Sequence, residues 1–149
     1  MKKLWYLRRL SRLGASTATL LTIYKSAVRR VMEMAAPVFA GGLSVANSDA
    51  IESVQKSAFK IILRGKYQTY QNALLLLNEN TLEERRESIS LKFAKKSTQH
   101  PKMSHLFNKK KHSKTRKGKK NFIEPRTFSN RAFNGPVPYL IRLLNSQGK

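Results

Sequence analysis

The chain has 149 residues, enough for one domain with its own core, and a net charge of +22 from 30 Lys and Arg against 8 Asp and Glu. Such a charge attracts polyanions, with nucleic acid first, an anionic membrane surface second and an acidic protein third. There is no cysteine, so a disulfide framework and a thiolate metal site are excluded, and no run of about 18 apolar residues reads as a membrane span.

Residues 1–32 contain Arg, Lys and hydroxyls and no acid. That composition admits a mitochondrial presequence, but the stretch reads better as an ordinary helix. The first predicted helix is "KKLWYLRRLSRLG". Its apolar face is Leu4, Leu7 and Leu10, or else Trp5, Tyr6 and Leu13, and Gly14 stops it. Arg8, Arg9 and Arg12 surround Trp5 and Tyr6, either as a phosphate-binding cluster or as the wet face of the helix. Ser16 then caps a long helix with Leu20, Tyr24, Ala27, Val28, Val31 and Ala35 in one stripe. Lys25, Arg29 and Arg30 lie off the stripe, Pro37 ends or kinks the helix, and "AGGLS" is a turn.

The next helix spans 45–63, with Ile51, Val54, Ala58 and Ile61 facing inward and Asp49 and Glu52 near its positive end. Gly65 closes it. Thr69 caps a short helix in "TYQNALLLLNEN". In "TLEERRESISLKFAKK", Thr81 and Glu84 have capping-box spacing, and Leu82, Ile89 and Phe93 face inward. No strand and no repeat is predicted. The expected fold is all-α, a bundle of about five helices over residues 1–100, then a basic linker at 101–121 and a largely irregular tail at 122–149.

The charge is uneven. Residues 1–100 hold 17 basic and 7 acidic side chains, and residues 101–149 hold 13 and 1. The run "KKKHSKTRKGKK" supplies Lys109, Lys110, Lys111, Lys114, Arg116, Lys117, Lys119 and Lys120. It reads as a nucleic-acid or nuclear-import patch and as a self-repelling linker, two compatible roles. The apolar residues after it, among them Phe122, Tyr139, Leu140 and Leu144, are expected to dock in this chain or on a partner.

Catalysis finds little material. Asp49 is the only aspartate, whereas two-metal chemistry needs several converging carboxylates. Glu79, Glu83, Glu84 and Glu87 are explained by a helix start. His100, His105 and His112 lack partners at zinc spacing, and there is no phosphate-loop motif. No cofactor and no metal is expected.

The segment "KLWYLRRLSRLGASTATLLTIYKSAVRRVMEMAAPVFAGGLS" resembles the region after the polymerase palm in reverse transcriptases of non-LTR (LINE-type) retrotransposons. Phe39 stands where that family usually has Trp. The stretch from "ANSDAIESVQKSAFK" to "LKFAKK" and the terminal "PVPYLIRLLN" are similar to the same family. The resemblance covers nearly the whole chain and implies a thumb-like and post-thumb region, the part that grips the template–primer duplex in that family while the palm carries the aspartates. The aromatic-x-Asp-Asp motif of the palm is absent, so the resemblance implies a catalytically incomplete C-terminal piece. Nucleic acid, RNA or DNA, is the expected partner, held through its backbone by Arg8, Arg9, Arg12, Lys25, Arg29, Arg30 and the basic run, with a missing palm as a protein partner. Location in nucleus or cytoplasm is expected. The alternative is a small basic ribosomal or mitochondrial RNA-binding structural protein.

Overall fold

The computed structural model describes residues 2–109 and 121–147. The all-α expectation holds: among these residues the only β pairing is an isolated bridge between Lys109 and Phe122. No described helix is long and apolar enough to cross a membrane. The chain divides into two compact units, one of Met1–Met34 with Ser44–Arg85, the other of Ala35–Leu43 with Arg86–Lys149. This division does not follow the expected linker at 101–121.

In the first unit, α1 (Lys2–Arg12) buries Leu4 and Leu7 and exposes Trp5, Tyr6 and Leu13, which decides between its two candidate faces. Gly14, at φ +85°, ends it. The Ala15 amide reaches the Leu10 carbonyl and the Gly14 amide reaches that of Ser11, the paired bonds of a Schellman cap. Ser16 caps α2 (Thr17–Ile23) by accepting from the Thr19 amide.

α2 continues through a π-helical turn (Tyr24–Arg29) into α3 (Arg30–Glu33). The wider i→i+5 turn inserts a residue into the helical period. Leu20, Tyr24 and Val28 are therefore buried, but Val31, expected on the same stripe, is half exposed. The helix stops at Glu33, and Ala35 takes a left-handed φ of 59°. Pro37 sits in the first turn of α4 (Ala36–Phe39), where its missing N–H costs nothing, so it begins a helix instead of ending one.

α5 (Val45–Leu63) has the expected bounds. Its buried residues are Val54, Gln55, Ala58, Phe59, Ile62 and Leu63, whereas Ile51 and Ile61 are only partly covered. Arg64, not Gly65, carries the positive-φ closing conformation, at φ 52° and ψ −127°. A non-glycine residue there is strained. Its guanidinium offsets this by donating to Ser11 Oγ (2.9 Å), the Ser11 carbonyl (2.7 Å) and the Ala15 carbonyl (3.0 Å). One side chain thus closes α5 and ties it to the end of α1. Thr69 caps α6 (Tyr70–Leu77) as expected. The core joins Leu4, Leu7, Leu20, Tyr24, Phe59 and Ile62 with Ala73 and Leu77.

α7 (Leu82–Gln99) starts as a capping motif, the Glu84 amide donating to Thr81 Oγ1. Its buried positions are Leu82, Arg86, Ser90, Ala94 and Ser97. Ile89 is half-buried and Phe93 exposed, against expectation. After Leu82, which faces inward as expected, the buried row is made of small and polar side chains, so apolar periodicity selected the neighbouring row.

In the second unit the stretch expected to be irregular contains α8 (Asn130–Phe133) and α9 (Pro136–Ser146). Pro136 and Pro138 do not interrupt this helix. They occupy the first turn of α9, where backbone N–H groups have no intrahelical acceptor. α9 buries Leu140 and Ile141 in a small core with Ala94 and Phe107, so the apolar tail packs within its own chain. Buried Asn145 accepts from the Phe122 amide (3.0 Å) and donates to the Phe122 carbonyl (3.2 Å). The Ile123 amide donates to Asn108 (2.8 Å). The residues flanking the basic run therefore meet each other at α9.

Gly41 lies in the 3₁₀ turn Ala40–Gly42, and a Cβ there would stand 2.6 Å from Tyr139 Cβ and 2.9 Å from the Asn134 carbonyl. Both neighbours are backbone or near-backbone atoms and cannot swing away. Gly41→Ala is expected to destabilise the second unit by about 1–3 kcal/mol, measured by urea denaturation.

Candidate nucleic-acid interface

α1 is amphipathic at helical spacing. Leu4 and Leu7 face the core, and Trp5, Arg8, Arg9 and Arg12 follow at i, i+3, i+4 and i+7 along one outer row. These four residues alone line a surface recess of about 230 Å³. The three arginines are exposed, and none forms an ion pair among the described residues. Trp5 is 57% exposed and Tyr6 59%, and their rings meet edge to face at 5.2 Å. The sequence brings cations and aromatic surface to one row, with no acid nearer along the chain than Glu33.

The other expected cations are placed differently. Lys25 Nζ lies 2.5 Å from Glu79, and Arg29 Nη1 lies 2.6 Å from the other oxygen of the same carboxylate. Arg29 Nε is also 3.7 Å from Glu33, which in turn accepts from Arg85. The Glu79 side chain is only 6% exposed. Glu79 is thus the counter-ion of the π turn and has no part in a helix start, and Arg29 is occupied within the fold. Arg30 is exposed. Lys109 is exposed beside the Phe122 bridge. Lys110, Lys111, Lys114, Arg116, Lys117, Lys119 and Lys120 lie outside the described residues, as does His112.

A second polar constellation lies beneath the surface of the first unit. The Tyr24 hydroxyl donates to Gln55 Oε1, and Gln55 Nε2 donates to the Tyr70 hydroxyl (2.9 Å) and the Asn80 carbonyl (2.9 Å). The Tyr70 hydroxyl donates to Glu52, whose two oxygens accept from the Leu82 amide at 3.2 Å each. Glu52 therefore caps α7 and does not serve its own helix dipole. Burial pushes both phenols above the ordinary tyrosine range, and for Tyr70 the Glu52 hydrogen bond adds to it. A phenol whose folded pKa is raised adds stability that is full below the unfolded pKa of about 10 and is lost as pH rises past it. Denaturation curves are expected to show the first unit weakening above about pH 10.

This chain of bonds has the character of a structural network, since every member finds a partner within it. His100 and His105 are exposed, and no group of three His, Cys, Asp or Glu among the described residues could hold a metal. The row on α1 could be found by spacing alone. The Glu79 and Gln55 networks could not, because Glu79 stands 50 residues from Arg29, and Gln55 stands 31 from Tyr24, 25 from Asn80 and 15 from Tyr70.

Fold and surface together define a small, strongly basic protein, helical over its described residues, with a cationic–aromatic row on α1. Compared with known proteins, the chain matches no family model, no curated protein and no solved structure.

Proposed function

We propose that the chain is a non-catalytic, thumb-like piece of a non-LTR-type reverse transcriptase and binds nucleic acid without sequence preference. The resemblance of its ordered segments supports the family, and the lone Asp49 supports the lack of polymerase chemistry. The binding reading is carried by Arg8, Arg9 and Arg12, exposed on one helix row with no ion-pair partner among the described residues. Neutralising phosphates with such groups releases condensed cations, so affinity falls steeply with salt. Exposed apolar residues on α6, Leu75 and Leu76, are consistent with a palm domain as protein partner.

The test is a salt titration of oligonucleotide affinity. Replacing Arg8, Arg9 and Arg12 together by Ala should weaken binding and lower the log–log salt slope by about 2 to 3. An unchanged slope would remove this surface from the proposal.

A further inference from the structure

The cationic row has one feature that phosphate binding does not use. Trp5 is the only tryptophan in the chain, and its indole is left more than half exposed while Leu4 and Leu7 on the same turns are buried. Other aromatic faces in the molecule are covered by cations: Lys56 lies over Tyr70, Lys60 over Tyr67 and Arg142 over Phe133. Trp5 has three arginines around it, and none is seated on its ring among the described residues. The Tyr6 ring meets the indole edge to face, which leaves indole surface uncovered beside the recess.

We infer that this row binds unpaired, single-stranded nucleic acid, with one base stacked on Trp5 and the adjoining phosphates held by Arg8, Arg9 and Arg12. The inference rests on the nucleic-acid reading above and adds the substrate class. A duplex offers phosphates at its surface but keeps its base faces stacked inside, so it can satisfy the arginines and gains nothing from the indole. A single strand offers both. The i, i+3, i+4, i+7 spacing places the stacking surface and the cations on one line, as a strand with a base turned toward the helix requires. An acidic peptide would pair the arginines and leave the indole unused.

Trp5 is its own reporter. The full chain is titrated with a short oligothymidylate and with a hairpin duplex of equal phosphate count, and tryptophan emission is followed. Oligothymidylate should quench Trp5 strongly at saturation, and the duplex should bind with much weaker quenching. Trp5→Ala should lower single-strand affinity about 5- to 150-fold and duplex affinity by less, while Trp5→Phe restores most of the loss. Because the side chain is exposed, both variants should keep the parent's circular dichroism. Equal quenching by both ligands, or an unchanged single-strand affinity in Trp5→Ala, overturns the single-strand inference and leaves phosphate binding standing. Polyglutamate binding as tight as oligothymidylate also overturns it. Failure of both nucleic acids to bind in a salt-dependent way overturns this inference and the proposed function together.

Discussion

Phe59→Ala is expected to destabilise the first unit by about 3–5 kcal/mol, the range for emptying a fully buried aromatic site. Phe59 is completely buried, meeting Tyr24 edge to face at 5.4 Å and Tyr70 at 6.1 Å. Both tyrosines belong to the Gln55 network, so the cavity would lie against groups whose hydroxyls are held in fixed directions. Collapse into the space would cost hydrogen bonds, which places the loss toward the upper end. α1 is anchored on the same core through Leu4 and Leu7, so the variant should lose oligonucleotide binding in step with its unfolded fraction. Urea denaturation followed by far-ultraviolet circular dichroism measures the first effect. A loss under about 1 kcal/mol would mean that Phe59 is not at the centre of this core.

Glu79→Ala is expected to cost about 3 kcal/mol, the low end for breaking a buried ion pair. The loss is carried mainly by Arg29, whose side chain is 14% exposed and would keep only Glu33, at 3.7 Å. Lys25 is 41% exposed and can turn to water, so its share is small. Combining Glu79→Ala with Arg29→Met should recover part of the loss, because the second change removes the stranded charge. A double-mutant cycle in urea checks this. Strict additivity would show that the two groups do not act as a pair.

Local signals were legible in the sequence wherever the deciding atoms lie within a few residues. Ser16, Thr69, Thr81 and Gly14 act as the caps and stop their types and spacing imply. Apolar spacing gave the bounds of α5, and on α1 it narrowed the choice to two faces, one of which carries the candidate row. Features decided at long range were not legible. Arg64 replaces Gly65 as the closing residue because Ser11 and Ala15, about fifty residues earlier, hold its guanidinium. Lys25 and Arg29 look like free cations until Glu79 folds against them. The π turn has no signature in residue type, and it shifts every later position in its helix. α9 was obscured because prolines break helix interiors and start helices equally well.

Binding of nucleic acid through its phosphate backbone is the property we propose for this chain. The most direct measurement is the affinity of the full chain for one oligonucleotide across a series of salt concentrations. With roughly six to ten phosphates contacted, affinity is expected to fall about 10³- to 10⁵-fold between about 50 and 200 mM salt, and to change little when the base sequence is scrambled. Affinity that holds steady across that salt range, or that collapses on scrambling, would contradict it.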